Sequence, residues 1–210
     1  MSQSFDIHEI FPSFQGEGPN AGDNAVFVRF GRCNLTCKFC DTNNNIYQSM
    51  PLSDIVSCVE QAANFGSGLR IKFVVITGGE PFLQPLEYLC DALLALNYKV
   101  QIETNGRIFR ELDEQVEIVC SPKNVGDKFI IDSRFLNRLT ALKFIVSKTF
   151  PGYQTVPDIG QVDHKILTYV QPMDENCPRK NADNLQLARE ICLERGYRLS
   201  LQLHKLVGVR

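Results

Sequence analysis

The sequence predicts a mixed α/β fold, an incomplete barrel-like sheet of mostly parallel strands, on three observations. Short β-branched apolar runs recur along the chain, helical patterns fall between several of them, and small polar residues follow the runs directly. Strand, helix, strand alternation favours parallel strands joined by right-handed crossovers, which brings the loops after the strands to one common rim. At 210 residues the chain suits one domain, residues 1–210, with a sizeable core.

The elements follow in order. "AVFVRF" (25–30) reads as a strand whose one charge is Arg29. Residues 52–66 place Ile55, Val56, Val59 and Ala63 at helical spacing, with Ser53 as N-cap and Gly66 as the stop. "KFVVIT" (72–77) is the next strand, and a helix from Pro85 to Leu96 carries Leu86, Leu89, Cys90, Leu93 and Leu94 on one side. "KVQIET" (99–104), "VEIVC" (116–120) and "ALKFIV" (141–146) follow, with room between them for only short helices or turns, so the barrel is expected to be incomplete. "KILTYV" (165–170), a helix over 181–196 with Leu185, Ala188, Ile191 and Cys192 on its stripe, and "YRLSLQL" (197–203) complete the series. The strands are expected to be mostly buried on both faces.

The balance of 22 basic and 24 acidic residues gives a formal charge of -2, which implies no electrostatic pull toward nucleic acid or a membrane surface. No apolar run approaches the roughly 18 residues that span a bilayer, and the first ten residues, "MSQSFDIHEI", lack a signal core. A cytoplasmic address is therefore expected, where thiols stay reduced and clustered cysteines serve metal or redox chemistry.

Eight cysteines are present, three of them in "GRCNLTCKFCDT". Cys58, Cys90 and Cys192 lie at apolar helical positions and read as small buried hydrophobes, while Cys120 and Cys177 read as spare thiols or remote ligands. Soft thiolates select zinc or iron-sulfur clusters. A structural zinc wants four closed ligands, and Cys33, Cys37 and Cys40 have no fourth nearby, the histidines being His8, His164 and His204. Three thiolates on a cubane leave one iron open to a ligand. The residues themselves leave cluster, zinc and unligated thiols all open.

Four loops follow buried runs with polar residues: "TGGEP" (77–81), "ETNG" (103–106), "SPK" (121–123) and "QPMDE" (171–175). Turn chemistry alone accounts for such residues, but loops at the carboxyl ends of parallel strands are also where such folds carry their sites. Gly78 and Gly79 would let the backbone approach a ligand.

The C-x3-C-x2-C trio together with "TGGEP" resembles the radical S-adenosylmethionine superfamily, whose core is a partial TIM-like barrel with reduced helices. Within it, "FQGEGP", Arg29, "FCDT", "ETNG", "SPK", "QPMDE" and "LQLHK" resemble the 7-carboxy-7-deazaguanine synthase family over essentially the whole chain. The resemblance implies a carbon-nitrogen lyase of queuosine and 7-deazapurine biosynthesis that turns 6-carboxy-5,6,7,8-tetrahydropterin into 7-carboxy-7-deazaguanine with loss of ammonia. It implies a 4Fe-4S cluster on Cys33, Cys37 and Cys40, with S-adenosylmethionine on the open iron and against Phe39, Cys40, Asp41, Gly79, Ser121, Pro122, Lys123, Gln171 and Asp174. Mg2+ would sit on Thr42. Substrate would meet Gln15, Gly16, Glu17, Arg29, Thr77 and the C-terminal Arg210, and no side chain is assigned a catalytic step of its own. An electron donor such as flavodoxin and a homodimer are also implied. Two other readings stand beside it, another small radical enzyme such as a glycyl-radical activase and a zinc-binding interaction module. One departure is Leu203, where the family carries a small polar residue before the His-Lys pair.

Overall fold

The computed structural model describes residues 3–65 and 68–209. The strands are β1 (Ser4–Phe14), β2 (Asn24–Phe30), β3 (Gln48–Pro51), β4 (Phe73–Gly78), β5 (Lys99–Thr104), β6 (Glu117–Cys120), β7 (Asn124–Val125), β8 (Lys128–Phe129), β9 (Ala141–Val146), β10 (Thr168–Pro172) and β11 (Arg198–Leu199). The helices are α1 (Leu52–Ala63), α2 (Glu87–Ala95), α3 (Pro178–Arg195) and α4 (Leu203–Val207).

Nine strands form one sheet in the order β11-β10-β9-β6-β5-β4-β2-β1-β3, and β7 and β8 form a separate hairpin. From β2 to β11 every pairing is parallel, whereas β1 runs antiparallel to both β2 and β3. The sheet ends in two edges, as expected of an incomplete barrel. The segment after β1 reaches across to the chain after β11: the Gly18 amide donates to Ser200 Oγ (3.0 Å) and the Leu203 amide to the Gly16 carbonyl (3.0 Å).

Period-two alternation gives the sheet two unlike faces. Outward, Val26, Val28, Phe30, Ile76, Val100 and Ile102 pack with Ile55 and Val59 of α1 and Leu89 and Leu93 of α2. Leu142, Phe144, Val146 and Val170 pack with Ala188, Ile191 and Cys192 of α3. Inward, the same strands present Arg29, Thr77, Glu103, Lys143 and Gln171. The strands are mostly buried on both faces, as expected, but the inner face lines a cavity and carries polar groups among its buried residues.

Other local expectations change for local reasons. α1 begins after Pro51, not at a Ser53 cap, and the Ser53 hydroxyl donates to Asp54 (3.0 Å) inside the first turn. Gly66 lies outside the described residues. α3 ends on Gly196 in the left-handed region (φ 69°), as expected. The run 165–170 enters the sheet only at Thr168, since Lys165 occupies a left-handed turn (φ 52°). The run 197–203 is a strand only at Arg198–Leu199, and Leu203 opens α4. Among the described residues no helix is long and apolar enough to cross a membrane.

Candidate active site

The turn after β4 organises the rim. A Cβ on Gly79 would fall 1.7 Å from the Arg32 carbonyl oxygen, and one on Gly78 2.2 Å from that of Phe30. The two glycines therefore serve close backbone approach to the root of the cysteine loop, more than approach to a ligand. Across that contact the Gly79 amide donates to Phe30 O (3.0 Å) and the Glu80 amide to Arg32 O (2.9 Å). Glu80, fully buried, then ties in β5: its carboxylate accepts from Thr104 Oγ1 (2.7 Å) and the amides of Asn105 (2.7 Å) and Phe82 (3.1 Å). Burial raises the Glu80 pKa against these donors, so its charge depends on all three.

The cysteine loop is held at its root and flank. Arg32 is left-handed (φ 63°) and its amide donates to Asn44 O (2.8 Å), while Asn105 Nδ2 donates to Asn34 Oδ1 (2.7 Å). Phe39, between two of the cysteines, meets Phe150 and Tyr153 edge-on at 5.6 and 5.1 Å. Cys33 and Cys37 are half-buried and Cys40 exposed, all three with free thiols on one cavity wall. Burial pushes the Cys33 and Cys37 thiols up, and neighbouring cysteines push each further. Three soft thiols on one cavity wall fit an iron cluster, whose positive charge would favour their thiolates. Among the described residues no three His, Cys, Asp or Glu side chains surround a point as a single ion requires.

The cavity, about 500 Å³, runs from this trio along the inner face of the sheet. Its far wall is a buried ionic group. Lys143, 4% exposed, sits between Glu103 (Nζ to Oε2 3.0 Å) and the still closer Glu17. Gln15 and Gln101 donate to Glu103 Oε1 at 3.1 and 2.9 Å, and Gln202 donates to Glu17 Oε1 at 2.9 Å. Burial alone would raise the Glu17 carboxyl, but the Lys143 charge outweighs it and holds the pKa at about 2. Burial opposes the Lys143 ammonium, and the two carboxylates overcome it and push that pKa up. One cation between two anions leaves this wall an acceptor of hydrogen bonds.

Arg29 stands between the two regions. Its Nε lies 3.1 Å from Glu9 Oε1, its Nη1 donates to Thr42 Oγ1 (2.9 Å), and the guanidinium lies 5.5 Å over the Phe11 ring. The Nε contact lacks hydrogen-bond alignment, so this buried donor has no acceptor among the described residues. The side chain itself lies on the cavity wall, so an incoming carboxylate would meet the guanidinium from the cavity side.

Every residue that the family resemblance assigned to cluster, cofactor, Mg2+ or substrate lies on this cavity wall except two. Pro122 is buried but off the wall, and Arg210 lies outside the described residues. Cys120, Cys177, His8 and His164 are also off it, so the remote-ligand reading has no support there, whereas His204 is on it. Sequence reasoning missed Glu103, Lys143 and Gln202. The signal was present, since Lys143 is as isolated a charge in "ALKFIV" as Arg29 is in "AVFVRF". It also missed β1 and β3.

The Radical SAM superfamily model matches residues 27–126. A 7-carboxy-7-deazaguanine synthase of Rickettsia prowazekii (strain Madrid E) is 43% identical over 207 residues, covering 97% of this chain and 88% of its own. The crystal structure of QueE from Escherichia coli superposes with a TM-score of 0.75 at 25% identity, covering 95% of this chain and 94% of that one. Streptococcus suis SuiB bound to S-adenosylmethionine shares the fold at a TM-score of 0.53 and 18% identity, covering 80% of this chain and 44% of that one. With a relative this similar spanning nearly all of both sequences, the chain belongs to the 7-carboxy-7-deazaguanine synthase family of radical S-adenosylmethionine enzymes.

Proposed function

We propose that the protein, working as a single domain, converts 6-carboxy-5,6,7,8-tetrahydropterin to 7-carboxy-7-deazaguanine with release of ammonia, as a carbon-nitrogen lyase. The observation that carries this reading is one cavity that has a thiol trio on one stretch of wall and the Arg29 guanidinium with a carboxylate pair on another. Cys33, Cys37 and Cys40 would hold the 4Fe-4S cluster, and the loops bearing Phe39, Asp41, Gly79, Ser121, Pro122, Lys123, Gln171 and Asp174 would hold S-adenosylmethionine. When bound and given one electron by a reductant, these would supply radical hydrogen abstraction at the carbon bearing the substrate carboxylate.

The chain's own residues bind and orient. Arg29 would take the substrate carboxylate, using donors that Glu9 and Thr42 leave over. Glu17, kept ionised by Lys143, would accept from the N-H edge of the pterin together with Gln15 and the Gly16 backbone, with Thr77 beside them and Arg210 beyond. Residues 202–205 lie over this wall and would exclude water. Thr42 would offer its hydroxyl to Mg2+, an oxygen ligand of the kind that ion takes, by giving up its Arg29 contact. A one-electron donor such as flavodoxin, a homodimeric state, a cytoplasmic setting and a product destined for queuosine belong to the same reading.

Anaerobic turnover of the carboxytetrahydropterin by reconstituted protein, with S-adenosylmethionine and reductant, tests it. We expect 7-carboxy-7-deazaguanine by mass. A brown, iron-loaded protein that cleaves S-adenosylmethionine but leaves the pterin unchanged would favour another radical enzyme, and a colourless zinc protein would favour the interaction module.

A further inference from the structure

Residues 202–205 cross the cavity and are anchored to both of its halves. On the side proposed for the pterin, Gln202 Nε2 donates to Glu17 Oε1 (2.9 Å) and the Leu203 amide to the Gly16 carbonyl (3.0 Å). Gly16 leaves no space there, since a Cβ on it would fall 2.1 Å from His204 Nδ1. Lys205 reaches the other way. Its Nζ lies 2.8 Å from Asp174 Oδ2, in the loop after β10, and 3.5 Å from Asp41 Oδ2, directly after the last cysteine of the trio.

Asp174 is a braced anchor. Its Oδ1 accepts from Asn181 Nδ2 of α3 (2.8 Å) and from the Asn176 amide (2.9 Å). The Lys205 hydrogen bond is the leading reason its carboxyl sits at about 2, so it stays charged. Asp41 lies in residues 33–47, which contain neither helix nor strand, and its Oδ1 accepts from its chain neighbour Thr42 Oγ1 at 3.5 Å. Lys205 thus connects the irregular loop that carries the cysteines to the fixed end of β10.

We propose that Lys205 is a positioning residue that clasps the cysteine loop to the β10 loop and, through Gln202 and Leu203, couples occupancy of the pterin half of the cavity to occupancy of the S-adenosylmethionine half. The coupling part rests on the proposed function. A ligand that fixes Glu17 and Gly16 fixes the start of α4, and with it the Lys205 ammonium between Asp41 and Asp174. The second ligand then meets loops already ordered. By linkage each ligand tightens the other by the same factor.

The test uses reconstituted holoprotein without reductant, so that neither ligand is consumed. S-adenosylmethionine and the carboxytetrahydropterin are titrated singly and together into native protein, Lys205→Met and Lys205→Arg. Native protein should show mutual tightening of about fivefold or more, Lys205→Met less than about twofold, and Lys205→Arg a restored effect. Mutual tightening that survives in Lys205→Met overturns the coupling. Hydrogen exchange on unligated protein tests the clasp alone: amides over 41–45 should exchange faster in Lys205→Met than in native protein, and equal rates overturn it. Native protein that binds neither ligand refutes the functional reading, and the exchange comparison then still decides the clasp.

Discussion

Adjacent residues on the same strands live in opposite surroundings. On β5, Ile102 points out into the core under α1 and α2, and Glu103 points in to Lys143. On β9, Phe144 packs outward beneath α3 and Lys143 turns in between two carboxylates. The outer face is stabilised by apolar area, a non-directional term proportional to what is buried. The inner face holds charges whose stability depends on each having its partner. One strand can therefore serve stability and ligand binding at alternate positions, and substitutions should separate the two.

The largest effect is expected on the inner face. Lys143→Met leaves Glu17 and Glu103 unpaired and should cost about 3–5 kcal/mol in anaerobic urea unfolding, with turnover of the pterin lost as well. Glu17→Gln leaves Lys143 its Glu103 partner. It should unfold more easily by less than Lys143→Met does, yet lose about 1.5–3 kcal/mol of charged hydrogen bonding to ligand, read as a fall in kcat/KM of roughly 10–150-fold. Equal losses of stability and activity in Glu17→Gln would erase the distinction between the faces.

The rim contact gives a third case. Gly79→Ala drives a methyl into the Arg32 carbonyl. The expected cost is about 1–3 kcal/mol, accompanied by lower iron content per chain after reconstitution, because the cysteine loop is rooted at Arg32. Ile102→Val, on the outer face, should cost about 0.5–1.5 kcal/mol and leave kcat/KM unchanged.

The smallest effect is on pH dependence. Burial depresses the His204 pKa below its usual 6.5, against the attraction of Glu17, so the folded state holds the ring neutral. The unfolded chain then takes up the proton first. The His204 contribution is complete above 6.5 and is lost as pH falls from there through the lowered folded value. Urea midpoints of native protein and His204→Gln should converge on acidification, and parallel profiles would contradict this.

The outer face was the legible one. Strand positions in 99–104 and 141–146 match β5 and β9 because a buried β-branched run has few alternatives. α3 stopped where Gly196 required. The cysteine trio and the loops after the strands were legible as members of one cavity wall, whereas the backbone-packing use of Gly78 and Gly79 was not. Long-range partners did not. Lys143 is joined to Glu17, 126 positions away, and Lys205 to Asp41 and Asp174, and no local pattern encodes such pairings. β1 went unread because its charged and polar residues, Asp6, His8 and Glu9, mask its alternation, and its burial depends on pairing with β2 and β3. Inner-face residues were missed wherever a run was treated as apolar throughout instead of alternating.

The central claim is that the thiol trio and the Arg29 wall act on two ligands held together in one cavity. It is tested most directly with carboxytetrahydropterin carrying deuterium on the carbon that bears the carboxylate, turned over anaerobically by reconstituted protein. The account predicts deuterium in the recovered S-adenosylmethionine or its 5′-deoxyadenosine fragment. Deuterium retained wholly in the product or released to solvent, with none in the cofactor, would contradict it.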